Sequence, residues 1–166
     1  PTFIAPPGRS LVWGDWEQIE ARVLPWLAQS PGGERKLDLF RDREDVYRHA
    51  AVPLFGLKRP SDATAEQRQV GKVSELALGF GGAVGALTAM ARGYGVTLPP
   101  NPRGIVDRWR TANAWAPHFW HELWDAAISA YKSPGEWFSA GRVAYLYHEM
   151  MRGTLVCRLP DGRLLV

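Results

Sequence analysis

Two groups of residues in this 166-residue chain have the types and spacing that chemistry needs. The first is Gly14-Asp15-Trp16-Glu17-Gln18-Ile19-Glu20-Ala21-Arg22. Residues 10–15 read as a short strand ending in a tight turn. Helical apolar spacing begins after Gln18, at Ile19, Val23, Trp26 and Leu27. A carboxylate at a strand end sits on rigid backbone while its oxygens face open space. Hard divalent cations such as Mg²⁺ take oxygen ligands in that setting. Phosphoryl transfer typically uses two such cations about 3.5–4 Å apart, one for the attacking oxygen and one for the leaving oxygen. The same Asp15, followed by Gln18, also fits an aspartate-capped helix start. Glu17 and Glu20 would then favour the helix N-terminus electrostatically. Residue types alone leave both readings open.

The second group is Arg68-Gln69-Val70-Gly71-Lys72-Val73-Ser74-Glu75-Leu76-Ala77-Leu78-Gly79-Phe80-Gly81-Gly82. Arg68, Lys72 and Leu76 recur every fourth residue and form a slowly turning stripe on one helix face. Two cations one turn apart can hold adjacent phosphates, and an apolar residue one turn further can press on a base. A solvated basic face, with Lys72 paired to Glu75, has the same spacing. The glycines do not form a phosphate-cradling loop, because the Gly-Lys-Ser/Thr arrangement is missing.

The elements that must position these groups follow from local signals. Pro25 is expected to bend or end the first helix early. Residues 30–33 read as a loop, 34–41 as a short charged helix, and 44–55 as another helix stopped near Pro53 and Gly56. Thr64 with Gln67 matches a capping box, so a helix is expected to about Leu78. A further helix spans 83–92, and two more span about 103–115 and 117–131, with Pro117 at a helix start. Strand character appears at 143–147 and 154–159, and Asp161-Gly162 is a two-residue hairpin turn. The fold class is therefore α+β and mainly helical: a helical body flanked by short strands, with a C-terminal β-hairpin. Trp109, Trp115, Trp120 and Trp124 fall in one stretch, which favours an aromatic helical core over base stacking.

The motifs, taken whole, resemble those of the family A DNA polymerases. Asp15, Gln18, Ile19, Glu20 and Arg22 match that family's motif A, Asp-Tyr-Ser-Gln-Ile-Glu-Leu-Arg, while Trp16, Glu17 and Ala21 depart from it. The lead-in Phe3-Ile4-Ala5-Pro6-Pro7-Gly8 is also similar. Arg68, Lys72 and Gly81 match motif B, with Leu76 and Phe80 in places where many members carry Phe or Tyr and Tyr. The second run is most similar to the phage and prophage branch.

The resemblance implies template-directed addition of nucleotides to a primer 3′-hydroxyl, with primer-template DNA, deoxynucleoside triphosphates (dNTPs) and two Mg²⁺ ions. Asp15 would hold both metals, and the Trp16 backbone carbonyl would be a further ligand. Lys72 would contact the α-phosphate and protonate the leaving pyrophosphate. Arg68 would bind the outer phosphates, and Leu76 the base. Gln18 and Glu20 would line the nucleotide, Glu20 excluding a 2′-hydroxyl. Phe80, Gly81 and Arg22 would face the template or DNA. Asp45-Val46-Tyr47-Arg48 resembles the family's Asp-Ile-His segment, which puts Tyr47 at the triphosphate in place of His, with Arg48 and His49 as neighbours able to substitute. The implied organisation is part of the palm over 1–30, fingers over 31–133 and a return toward the palm over 134–166.

The family's motif C, His-Asp-Glu, does not occur in the sequence. His121-Glu122 and His148-Glu149 are partial look-alikes that read as ordinary surface residues. Both ends read as cuts through a longer protein, with remaining palm, thumb and an optional exonuclease as further parts of the parent chain. The isolated chain is then expected to be inactive. Composition agrees without deciding. The net charge is +3, and one cysteine excludes an internal disulfide, as expected in a cytoplasmic bacterial or phage-infected setting. No apolar run approaches the roughly 20 residues that span a bilayer, and the N-terminus lacks secretory-signal features. A non-catalytic nucleic-acid-binding helical module and a purely structural scaffold remain as alternatives.

Overall fold

The computed structural model describes residues 3–148 and 153–166. Seven α-helices come first among the described residues: α1 (Ile19–Ala28), α2 (Pro31–Arg41), α3 (Val46–Phe55), α4 (Ala65–Leu78), α5 (Val84–Gly93), α6 (Pro102–Ala112) and α7 (Trp115–Lys132). Four strands follow: β1 (Trp137–Ala140), β2 (Val143–His148), β3 (Thr154–Arg158) and β4 (Leu164–Leu165). They form one antiparallel sheet in sequence order. The mainly helical α+β class read from the sequence is what the chain adopts.

Helices α2, α3, α4 and α6 start at side-chain caps. Thr64 and Gln67 exchange the two bonds of a capping box at the start of α4, at 3.2 and 2.9 Å. Ser30 Oγ accepts from the Gly33 N–H at 3.1 Å. This corrects the expected loop at 30–33: with Ser30 as cap and Pro31 at the first helical position, α2 begins there. Pro25 and Pro53 end neither α1 nor α3. Each lies in the last turns of a short helix, where one missing donor leaves most of the ladder intact.

A second correction concerns residues 10–15, which form no strand. No other described segment pairs with them, and Leu11, Val12 and Trp13 are exposed. A short apolar run alone cannot make a strand without a neighbour to complete its hydrogen bonds. Strand β1 was not anticipated. It pairs with β2 through a two-residue turn at Gly141-Arg142, and Gly141 has a positive φ of 51°. That turn lies against the end of α1. The Arg142 N–H donates to the Leu27 carbonyl at 2.9 Å, and Arg142 Nε donates to the Trp26 carbonyl at 2.9 Å. The hairpin tip thus satisfies carbonyls that the C-terminus of α1 leaves open.

The main core joins α3, α4, α5 and α6 through Leu54, Val73, Leu78, Leu87, Ile105 and Trp109. A smaller cluster joins α1, α7 and β1 through Ala28, Phe119, Ala126 and Ala140. Trp109 is buried and stacks on Trp120 at 6.4 Å. Trp115 and Trp120 are half-buried, whereas Trp124 is exposed. The aromatic-core reading holds for the first three and not for Trp124.

Candidate active site

Helix α4 presents Arg68 and Lys72 one turn apart. Arg68 Nε donates to Asp45 Oδ2 at 2.6 Å, and the guanidinium carbon lies 5.3 Å from the centre of the Tyr47 ring. Lys72 Nζ lies 4.6 Å from the centre of the Tyr94 ring. Each cation therefore rests over a phenol.

The neighbours of Arg68 come from α3. Asp45 caps that helix: Oδ1 accepts from the Tyr47 and Arg48 N–H groups at 3.1 and 3.2 Å. The other carboxylate oxygen is left for Arg68. Partial burial pulls the Asp45 carboxyl upward, but the Arg68 hydrogen bond and the backbone donors of Arg48 and Tyr47 outweigh it and hold it below the usual range. The close approach of α3 to α4 depends on Gly71, because a Cβ there would collide with the Tyr47 carbonyl oxygen. Tyr47 is consequently buried, at 5% exposure. Burial, and next the Glu75 carboxylate, push its phenol above the usual tyrosine range. Arg68 opposes them, and Tyr94 and Glu20 add smaller upward effects. The Tyr47 hydroxyl stays protonated at neutral pH and keeps a proton to donate.

Lys72 does not pair with Glu75. The Glu75 side chain turns inward, pairs with Lys36 of α2 and accepts from Trp109 Nε1 of α6 at 3.0 Å. The alternative reading of an i, i+3 pair fails because burial offers Glu75 two better partners. Among the described residues Lys72 forms no ion pair. Beyond α4, Phe80 is 74% exposed and Gly81 holds φ of 76°. Leu76 is half-buried on the same helix.

The first group is less assembled. Asp15 does not cap α1. The cap position is Gln18, in a left-handed conformation with φ of 55° and no side-chain cap bond. The Gln18 amide oxygen is buried without a partner. Asp15 is exposed and makes no hydrogen bond or ion pair with another described residue. Trp16 is 80% exposed. Among the described residues no three His, Cys, Asp or Glu side chains group closely enough to hold a metal ion. Asp15 therefore supplies one free carboxylate, which suits one corner of a Mg²⁺ site and is not a whole site.

A cavity of about 420 Å³ lies between α1, the end of α4 and α7. Glu20 of the first group and Phe80 of the second both line it, with Leu24, Glu75, Phe119 and Trp120. Arg22 lies elsewhere. Its Nε donates to the Glu17 carbonyl at 2.9 Å and its guanidinium covers Phe40 at 4.1 Å, over a separate groove between α1 and α2. The structure thus brings Tyr47 to Arg68, sets Lys72 one turn along the same helix, places Glu20 with Phe80, and leaves Asp15, Trp16 and Arg22 outside these contacts.

Arg48 and His49 are half-buried. The Arg48 guanidinium donates to the Ala63 carbonyl, and His49 lies 3.4 Å from Glu44. His121 and Glu122 are on α7, where His121 Nδ1 meets the Pro117 carbonyl at 2.7 Å and Glu122 meets His118 at 3.2 Å. His148 ends β2, and Glu149 lies outside the described residues. Three contributors were not anticipated: the Asp45 pairing, the Gly71 contact and Tyr94. Only Gly71 had a signal, a glycine in the middle of a well-capped helix.

Comparison with known proteins now adds to this geometry. The chain is 36% identical over 163 residues to the DNA polymerase of Bacillus phage SP02, covering 97% of the chain and 24% of that protein. By sequence, nearly the whole chain is similar to one part of a DNA polymerase. It is also 37% identical over 79 residues to DNA polymerase I of Pseudomonas aeruginosa, 48% of the chain and 8% of that protein. To DNA polymerase I of Lactococcus lactis subsp. lactis it is 32% identical over 96 residues, 57% of the chain and 10% of that protein. These likenesses agree with the family A resemblance carried by the motifs. No protein-family model matches the chain. The chain spans about a quarter or less of the length of these curated polymerases.

Proposed function

We propose that this chain is the nucleotide-gripping part of a family A DNA-directed DNA polymerase. Residues 1–30 belong to its palm, 31–133 form its fingers, and 134–166 return toward the palm. The carrying observation is that Arg68 and Lys72 lie one turn apart on α4, Arg68 over the buried Tyr47 ring and beside Asp45 and Lys72 over the Tyr94 ring. Two cations held one turn apart match a triphosphate in charge and in donor chemistry. Likeness to a phage DNA polymerase over almost the whole chain supports the same reading.

In this reading the α- and outer phosphates of a dNTP lie along Lys72 and Arg68. Arg68 exchanges the Asp45 carboxylate for phosphate oxygens. The primer 3′-oxygen bonds to the α-phosphorus as the bond to pyrophosphate breaks. Lys72 is placed to give a proton to the departing pyrophosphate. Glu20 lines the sugar side together with Gln18, Leu76 presses on the base, and Phe80 and Gly81 face the template. Arg22 contacts DNA only after leaving Glu17 and Phe40. Asp15 and the Trp16 carbonyl would hold part of a Mg²⁺ site, and the ion would neutralise charge at the phosphates. The parent enzyme would act on primer-template DNA together with its remaining palm, thumb and any exonuclease segments, in the cytoplasm of a bacterial or phage-infected cell.

Titration of the chain with dNTP and Mg²⁺ tests this. Lys72→Ala is expected to weaken binding by roughly ten-fold, the order of one charge-assisted hydrogen bond. Asp15→Ala is expected to reduce the Mg²⁺ dependence. Unchanged affinity in Lys72→Ala would sink the reading. DNA binding that is salt-sensitive yet indifferent to Asp15 and Lys72 would instead favour a non-catalytic nucleic-acid module.

A further inference from the structure

Helix α5 packs on α4 through the buried Leu87 and Ala91, so its end lies beside the middle of α4. Tyr94 follows its last residue. The Tyr94 N–H donates to the Met90 carbonyl at 3.1 Å. Gly95 then turns the chain with φ of 64°, and the Val96 N–H returns to the Ala91 carbonyl at 2.8 Å. The backbone of Tyr94 is thus fixed on both sides, while its side chain is 50% exposed and takes no part in the core. Its ring lies under the Lys72 ammonium.

We propose that Tyr94 is a positioning residue for Lys72: its ring seats the ammonium where an anionic ligand is received. The proposal rests on the reading of α4 as the triphosphate-binding helix. The two cations of that helix are held differently. Arg68 has a carboxylate partner in Asp45, which a phosphate must displace. Lys72 has no carboxylate partner among the described residues. A lysine held by nothing would sample many rotamers and lose that freedom on binding. A carboxylate seat would fix it but neutralise it. An aromatic face avoids both faults, because its attraction is modest at an exposed site and occupies none of the three N–H donors. Tyr94 therefore orients Lys72 and leaves its charge available.

The test uses the chain with inorganic tripolyphosphate and with dATP, each with Mg²⁺. Tyr94→Ala and Tyr94→Leu are expected to weaken both probes by roughly two- to five-fold, the order of one exposed cation–π contact. Tyr94→Phe keeps the ring and is expected to bind like the parent chain. NMR of the ligand-free protein supplies a readout that a merely structural role would not move. The Lys72 ε-methylene protons should be shifted upfield by the ring current in the parent chain and in Tyr94→Phe. That shift should vanish in Tyr94→Leu and Tyr94→Ala. If Lys72→Ala weakens binding while Tyr94→Ala and Tyr94→Leu do not, the seat is wrong and the triphosphate reading survives. Loss in Tyr94→Phe equal to that in Tyr94→Ala would also overturn the seat, since the hydroxyl would then be the active group. If Lys72→Ala binds normally, both fall together.

Discussion

Asp45 shows how one side chain can serve a helix and a binding site at once. One carboxylate oxygen caps α3 and the other holds Arg68. Asparagine caps a helix about as well as aspartate does but carries no charge. In Asp45→Asn the helix start should survive while Arg68 is released, so tripolyphosphate is expected to bind roughly two- to five-fold more tightly, the order of one partly exposed ion pair. Calorimetric titration of the two proteins checks this; equal or weaker binding in the variant would show that Asp45 does not compete. The same residue gives a pH dependence. Its folded pKa lies below its unfolded value. Its contribution to stability is therefore present above the ordinary carboxylate range and is lost as pH falls through the lower folded value. Thermal melts should drop less between about pH 5 and pH 2.5 in Asp45→Asn than in the parent chain, that interval spanning the ordinary aspartate value and the range below it.

At the scale of elements, the site depends on how closely α3 meets α4. Gly71→Ala puts a methyl against the Tyr47 carbonyl, which is backbone and cannot swing aside. It is expected to lower unfolding free energy by about 1–3 kcal/mol, the usual size of overpacking, and to weaken tripolyphosphate binding by moving Tyr47 from Arg68. Denaturant melts alongside titrations separate the two effects. The buried Lys36–Glu75 pair, joined by Trp109, ties α2 and α6 to the same helix. Lys36→Met strands the Glu75 charge and is expected to cost about 3–5 kcal/mol, with recovery on adding Glu75→Leu. These two features also mark where sequence reading succeeds. The Thr64–Gln67 box is local chemistry, and α4 ends at the expected Leu78. The Arg68–Lys72 stripe follows from helical period alone. The partners of those cations do not, because Asp45 and Tyr94 come 23 residues before Arg68 and 22 after Lys72. Spacing also allowed Glu75 to pair with Lys72, but burial against Trp109 and Lys36 decided otherwise. The run at 10–15 failed for a related reason: strand formation needs a partner, and a short apolar run cannot name one.

Across the whole molecule, the two halves of the proposed chemistry are unequally built. The nucleotide grip stands on α3, α4 and α5, whose contacts share the main core. The carboxylate side stands on the segment from Phe3 to Trp16, where Phe3, Ile4, Val12, Trp13 and Trp16 are all at least 80% exposed. Large apolar side chains so exposed along one segment leave its backbone open to a protease. Chymotrypsin should therefore cut near Trp13 and Trp16 well before it cuts near Trp109, which is 1% exposed. Asp15 lies inside that segment, and among the described residues no three His, Cys, Asp or Glu side chains gather to hold a metal ion. A two-cation phosphoryl transfer needs ligands that hold both ions in register. The chain alone is then expected to bind dNTP measurably yet to extend a primed template no faster than buffer. Gel-resolved primer extension, run on the same preparation that passes the dNTP titration, makes the comparison direct. Template-directed products from the isolated chain, abolished by Asp15→Ala, would mean that these residues assemble a metal site that the free carboxylate does not reveal.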